Sequence, residues 1–170
     1  MSRGNNNLKY ETGFQIEAEK FTEYKPILLD TLQAEDIELT TRGMLDKVTG
    51  CDATALIDGL VYGVSLRFRS SDYNSFTLNR HITDPYSEVH KWIKPHNTNL
   101  KPIYYIQINQ RYHNELRLIR VNIEAYSVFL QHLVKTDSLE MYWENKLLAY
   151  EFPTMLPNGY KGIFTEVFTQ

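Results

Sequence analysis

Three side chains of a kind that build a polar site fall between Thr49 and Arg69: a carboxylate, Asp52, a hydroxyl, Ser65, and a guanidinium, Arg67. Ser65, Arg67 and Arg69 share one face if this segment is a strand, because strand side chains alternate with period 2. The opposite face would carry Val64, Leu66 and Phe68 into a core. Asp58-Gly59 is a strong two-residue hairpin signal and joins this strand to a shorter one before it. If the hairpin turns Asp52 toward Ser65 and Arg67, the acid, the hydroxyl and the cation converge. Arginine stays protonated, so it can stabilise negative charge but cannot act as a base.

Two further acids stand out by position. From Thr12, a plausible helix cap, Phe14, Ala18, Phe21, Tyr24 and Leu28 recur at spacings of three and four and form one helical face. Glu17 falls inside that apolar stripe, whereas Glu19 and Glu23 point away from it. A carboxylate facing the core needs a cation, a metal or a hydrogen-bond donor. At the rim of the stripe it would reach water instead. Glu88 lies in Ser87 to Ile93, a short helix ended by Lys94-Pro95, and Lys91 follows it on the same face. By itself this is an ordinary exposed ion pair worth about 0.2–0.5 kcal/mol.

The remaining elements read as scaffold. Residues 1–10 are polar and Asn-rich and suggest a loose arm, with residues 11–170 as a single domain. Pro26 either kinks the first helix or starts a second. Arg42-Gly43 and Asp46-Lys47 mark a polar connection, and Ser75 to Ile82 a third strand that stops before Asp84-Pro85. Ile103 to Asn109 is an apolar, aromatic strand expected near the middle of a sheet, with Gln107 either functional or satisfied by its neighbours. Leu116 to Ile123 is another strand, and Glu124 to Lys135 an amphipathic helix with His132 on its exposed side. Leu147 to Phe152 is a last strand before a Gly-containing tail. The expected fold is α/β, a mixed central sheet that starts as an antiparallel β-meander and is flanked by helices.

Composition narrows the classes of function. The chain has 170 residues, 42% of them hydrophobic, and a net charge of −3, so bulk positive charge cannot drive nucleic-acid binding. Local clusters must do any such work. The single cysteine, Cys51, reads as a small buried hydrophobe in a reducing compartment. The N-terminus lacks the apolar region of a signal peptide, and no apolar run is long enough to span a bilayer, so a cytoplasmic protein without a membrane partner is expected.

A helix with an inward acid, a hairpin with Asp52 in its first strand and Ser65-Leu66-Arg67 in its second, a third strand, a helix and an apolar strand together resemble the PD-(D/E)XK nuclease core. The local Gly50-Cys51-Asp52-Ala53 is similar to the Gly-x-Asp pattern common there, and the likeness covers about residues 14–109. The resemblance implies a restriction-endonuclease-like core in which Asp52 and a second acid bind Mg²⁺ or Mn²⁺. Ser65 stands where that second acid is usual and Arg67 where a lysine is usual. Some members of the family have Ser there and a carboxylate moved to the following helix. The resemblance then assigns metal binding to Asp52 and Glu88, the lysine's part to Lys91, and a supporting catalytic part to Arg67 and Glu17.

Phosphodiester hydrolysis needs a metal to activate water and neutralise charge, and hard Mg²⁺ prefers carboxylate oxygens. Arg67, Arg69, Arg80 and His81 are the candidate contacts to phosphates. The run from Arg67 to Phe76 mixes cations, aromatics and small polar groups, as a nucleic-acid surface does, although it also reads as ordinary strand and loop. Expected partners are nucleic acid, DNA first, and further a second copy of the chain or another protein. The rival function is an inactive relative that keeps the fold to bind nucleic acid or a protein. A third reading is an interaction module using a surface rich in tyrosine, of which the chain has 12.

Overall fold

Asp58 and Gly59 both have positive φ, 51° and 74°, the backbone of a two-residue type I′ turn. That turn sets Ile57 opposite Leu60 and pairs β2 (Ala53–Ile57) antiparallel with β3 (Leu60–Arg69). The computed structural model describes residues 4–40, 50–80, 87–93, 102–112, 114–157 and 160–169, with side chains from residue 17 onward.

Helix α1 (Gly4–Leu32) precedes β1 (Asp36–Leu39), and β4 (Ser75–Asn79) and α2 (Ser87–Ile93) follow β3. Next come β5 (Pro102–Gln110), β6 (Glu115–Asn122) and α3 (Ile123–Lys135). A 3₁₀ turn (Leu139–Tyr142), β7 (Trp143–Glu144), β8 (Ala149–Pro153) and β9 (Ile163–Thr169) complete the chain. Six strands form a mixed sheet in the order β1-β2-β3-β5-β6-β9, in which β3 and β5 are parallel and every other pair is antiparallel. A second antiparallel sheet has the order β4-β8-β7. Parallel pairing requires a crossover, and the chain between β3 and β5 supplies it with β4 and α2.

The sheet carries a core on each face, because strand residues alternate. Ile106, Ile108, Leu116 and Leu118 meet Phe21, Tyr24, Leu28 and Leu32 of α1. From the other face, Tyr105, Ile119 and Val121 meet α3, α2 and the second sheet through Tyr126, Phe129, Val89, Phe76 and Phe152. Asn122 caps α3 by accepting from the Ala125 N–H at 2.9 Å. Among the described residues, no helix is long and apolar enough to cross a membrane.

The α/β class and the mixed sheet are as expected, as are the hairpin, α2, β5, β6 and α3, with His132 exposed. Four details differ. Residues 4–10, expected as a loose arm, begin α1, and Thr12 lies inside it; lengthening an existing helix avoids the cost of a nucleus. The helix runs through Pro26, held by its apolar face against the sheet. Strand β4 leaves the meander for the second sheet, so that β5 lies beside β3, while β1, only four residues long, pairs with the free edge of β2. The tail forms β9, which finds its partner only in β6. The Arg42 to Lys47 connection, Asp84-Pro85 and Lys94-Pro95 lie outside the described residues.

Candidate functional site

Strand β3 is longer than its partner, and this mismatch creates the site. The ladder with β2 ends at the Ala53 and Val64 pair, beyond which the Asp52 N–H donates to the Val64 carbonyl at 2.9 Å. Asp52 therefore stands just before β2 rather than within it. Its carboxylate substitutes for the missing strand: Oδ2 accepts from the Leu66 N–H at 2.7 Å and from the Ser65 hydroxyl at 2.9 Å. Among the described residues no strand covers Ser65–Arg69 on that side, and a cleft of about 540 Å³ opens there.

Side chains from four segments meet in this cleft. Helix α1 contributes Glu17 and Lys20, the start of β2 contributes Asp52, β3 contributes Arg67 and Arg69, and α2 contributes Glu88 and Lys91. Glu17 is exposed at the cleft and so is not a core carboxylate. Four cations and three carboxylates line the cleft, and of the cations Lys20 is already paired with Glu23 at 2.8 Å. Arg67 Nη1 and Arg69 Nη2 each donate to Thr77 Oγ1 at 3.2 Å, so β4 aligns two guanidiniums on one neutral acceptor. Among the described residues neither makes an ion pair within 4 Å, which leaves their charge available to an anion.

Glu88 is half-buried and held by backbone: its Oε2 accepts from the Asn79 N–H at the end of β4, while the Ser87 hydroxyl donates to the Asn79 carbonyl at 3.1 Å. Burial pushes the Glu88 carboxyl above the usual carboxylate range, against the opposing pull of Arg67, the Asn79 N–H and Lys91, while Asp52 raises it further. The two acids and Arg67 therefore share one electrostatic site. Glu88 and Lys91 both line the cleft but, among the described residues, make no direct ion pair of the kind that their spacing alone suggested.

Arg80 is not among the cleft residues. Its guanidinium pairs with Glu140 at 3.2 Å and lies 4.6 Å from the centre of the Trp143 ring, a structural role in the second sheet. His81 lies outside the described residues. Cys51 is buried, as expected. Gln107, 1% exposed, is satisfied: it accepts from the Tyr105 hydroxyl and donates to the Ser75 carbonyl and Asn109 Oδ1, each at 2.9 Å. Burial pushes the Tyr105 hydroxyl up to about 12, so it remains a donor.

Sequence reasoning missed Lys20 and Thr77. Lys20 was legible as the residue one helical turn after Glu17, and it donates to Glu23 at 2.8 Å and to the Tyr24 hydroxyl at 3.3 Å. Thr77 carried no signal, because its role depends on β4 joining a different sheet. Among the described residues, no group of three or more His, Cys, Asp or Glu side chains gathers to hold a metal. The oxygens on hand are therefore the carboxylates of Asp52, Glu88 and Glu17. No family model matches this chain, and neither curated proteins nor solved structures supply a match.

Proposed function

We propose that this protein is a PD-(D/E)XK-type nuclease with a rearranged site, hydrolysing phosphodiester bonds of nucleic acid, DNA first, with Mg²⁺ or Mn²⁺. The observation that carries this reading is the meeting of Asp52, Arg67, Glu88 and Lys91 in one cleft although three separate segments supply them. The element order supports a restriction-endonuclease-like core: a helix, an antiparallel meander, a crossover bearing a helix, and a strand parallel to β3.

Asp52 and Glu88 fit the cation in donor chemistry, since Mg²⁺ commonly takes one or two carboxylates and completes its shell with water and phosphate oxygens. Bound between them, it would activate the attacking water and offset charge on the phosphate. Arg67 and Arg69 hold phosphate oxygens as permanent cations. Lys91 places a compact charge where negative charge grows in the transition state, and Glu17 orients the water from α1. The water oxygen bonds to phosphorus as its proton passes to solvent, the bond to the departing sugar oxygen breaks, and that oxygen takes up a proton from solvent.

Two observations favour the rival, an inactive relative that binds nucleic acid. Asp52 Oδ2 already accepts two hydrogen bonds and burial favours the protonated form of Glu88, which both weaken a cation site. Calorimetric titration with Mg²⁺ and Mn²⁺, beside plasmid nicking, separates the two for the wild type, Asp52→Asn and Glu88→Gln. The nuclease reading expects binding and nicking in the wild type and the loss of both in folded variants. A folded wild type that binds oligonucleotides yet neither binds metal nor nicks establishes the rival. Absence of nucleic-acid binding overturns both.

A further inference from the structure

Arg69 borders more than the cleft of Asp52 and Glu88. That residue also walls a small cavity of about 70 Å³ together with Tyr73, Ser75 and Glu151. Those three in turn line a second open cleft of about 570 Å³, which Trp143 and Asp72 also border. Arg69 thus stands between the cleft of Asp52 and Glu88 on one side and the cavity bordered by Tyr73 on the other. The two ends differ in chemistry. The guanidiniums of Arg67 and Arg69 stand at the first, whereas the second sets the carboxylates of Glu144 and Glu151 beside the rings of Tyr73 and Trp143. Phosphate suits the first end and is repelled by the second. A flat neutral group bearing an amine suits the second, because it can stack on a ring and donate to a carboxylate.

Tyr73 is built to present a ring. Its side chain is 46% exposed and lies 6.0 Å from the Arg69 guanidinium, ring centre to carbon. Its backbone, by contrast, is clamped from below. Asn109, fully buried, donates to the Tyr73 carbonyl at 2.8 Å, and Gln107 donates to the Ser75 carbonyl at 2.9 Å. Asp72 beside it is locked to Arg111 at 2.9 Å and Arg117 at 2.7 Å. The buried amides of β5 therefore hold in place the segment that offers the ring.

We infer that the end around Tyr73 is a nucleobase subsite: an unpaired base of the strand whose phosphate lies at Arg69 stacks on Tyr73, with Glu151 accepting from an exocyclic amine. The inference rests on the nucleic-acid reading above and deepens it, since it makes the substrate single-stranded where it crosses this groove. Glu151 Oε1 already accepts from the Ser75 hydroxyl at 2.5 Å, which orients the carboxylate toward the segment bearing Tyr73.

Fluorescence anisotropy in EDTA tests it, with a short labelled single-stranded DNA, its duplex, and a set in which one abasic residue is moved along the strand. Tyr73→Ala should bind the single strand about tenfold more weakly or worse, Tyr73→Phe should bind like the wild type, and duplex binding should not change. One abasic position should reproduce the loss on the wild type and add nothing on Tyr73→Ala. Thermal melts establish that the variants fold. Equal single-strand binding by wild type and Tyr73→Ala overturns the subsite while leaving the nuclease reading standing. A wild type that binds no nucleic acid removes both.

Discussion

One oxygen of Asp52 accepts from both the Leu66 N–H and the Ser65 hydroxyl, and this makes its replacement informative. Asp52→Ala leaves the Leu66 N–H without its acceptor and should cost about 1–3 kcal/mol in urea denaturation, whereas Asp52→Asn keeps an acceptor oxygen and should cost less. Comparing the two separates the structural role from the proposed metal role. Glu88 works in the opposite sense. Because burial raises its folded-state pKa, the folded protein holds this proton more tightly than the unfolded chain does. Its stabilising effect is complete below the ordinary Glu range and is lost as pH rises through the raised value. Metal-free Glu88→Gln, which cannot ionise, should therefore melt above the wild type at neutral pH. The difference should shrink toward zero below about pH 4, near the ordinary Glu pKa. A variant that melts lower than the wild type at neutral pH would contradict the cause assigned to the shift.

At the scale of elements, the site depends on the register of β2 on β3. The type I′ turn sets that register, and with it the position at which the ladder stops and Asp52 takes over. Gly59→Ala places a Cβ on a residue with φ of 74° and should cost about 1–2 kcal/mol, even though the added atom meets nothing within 4 Å. Metal binding should survive at temperatures well below the melt, since the register itself is unchanged. Asp52 could be singled out before its geometry was known because the Asp58-Gly59 signal is local. The lysine's position on α2 was legible for the same reason: spacing along a helix is a local property. Arg80 shows the limit. Its charge made it a candidate phosphate contact, but β4 pairs with β8, and Arg80 meets Glu140 and Trp143 instead.

For the whole molecule, charge bounds the mode of binding. On a chain of net charge −3, the cations that line the cleft among the described residues are Lys20, Arg67, Arg69 and Lys91, and these four are the phosphate contacts that the proposal uses. The logarithm of single-strand affinity should fall against the logarithm of salt with a slope no steeper than about −3, at roughly 0.7 per phosphate contacted. A clearly steeper slope would mean that residues outside this cleft carry the binding.

The sequence by itself determined the local features: the hairpin turn, the periodicity of α1, α2 and α3, the apolar run of β5, and the residue types able to act on a phosphate. Each is set by neighbours within a few residues, where dihedral preference and side-chain periodicity act directly. The tertiary structure decided which strands pair. It placed β5 rather than β4 beside β3, added β1 next to β2, drew the tail into the sheet as β9, and split β4 into a second sheet, where Thr77 aligns Arg67 and Arg69. Those outcomes depend on burying both faces of the six-stranded sheet at once, and a short strand such as Asp36–Leu39 carries too few residues to announce its partner alone.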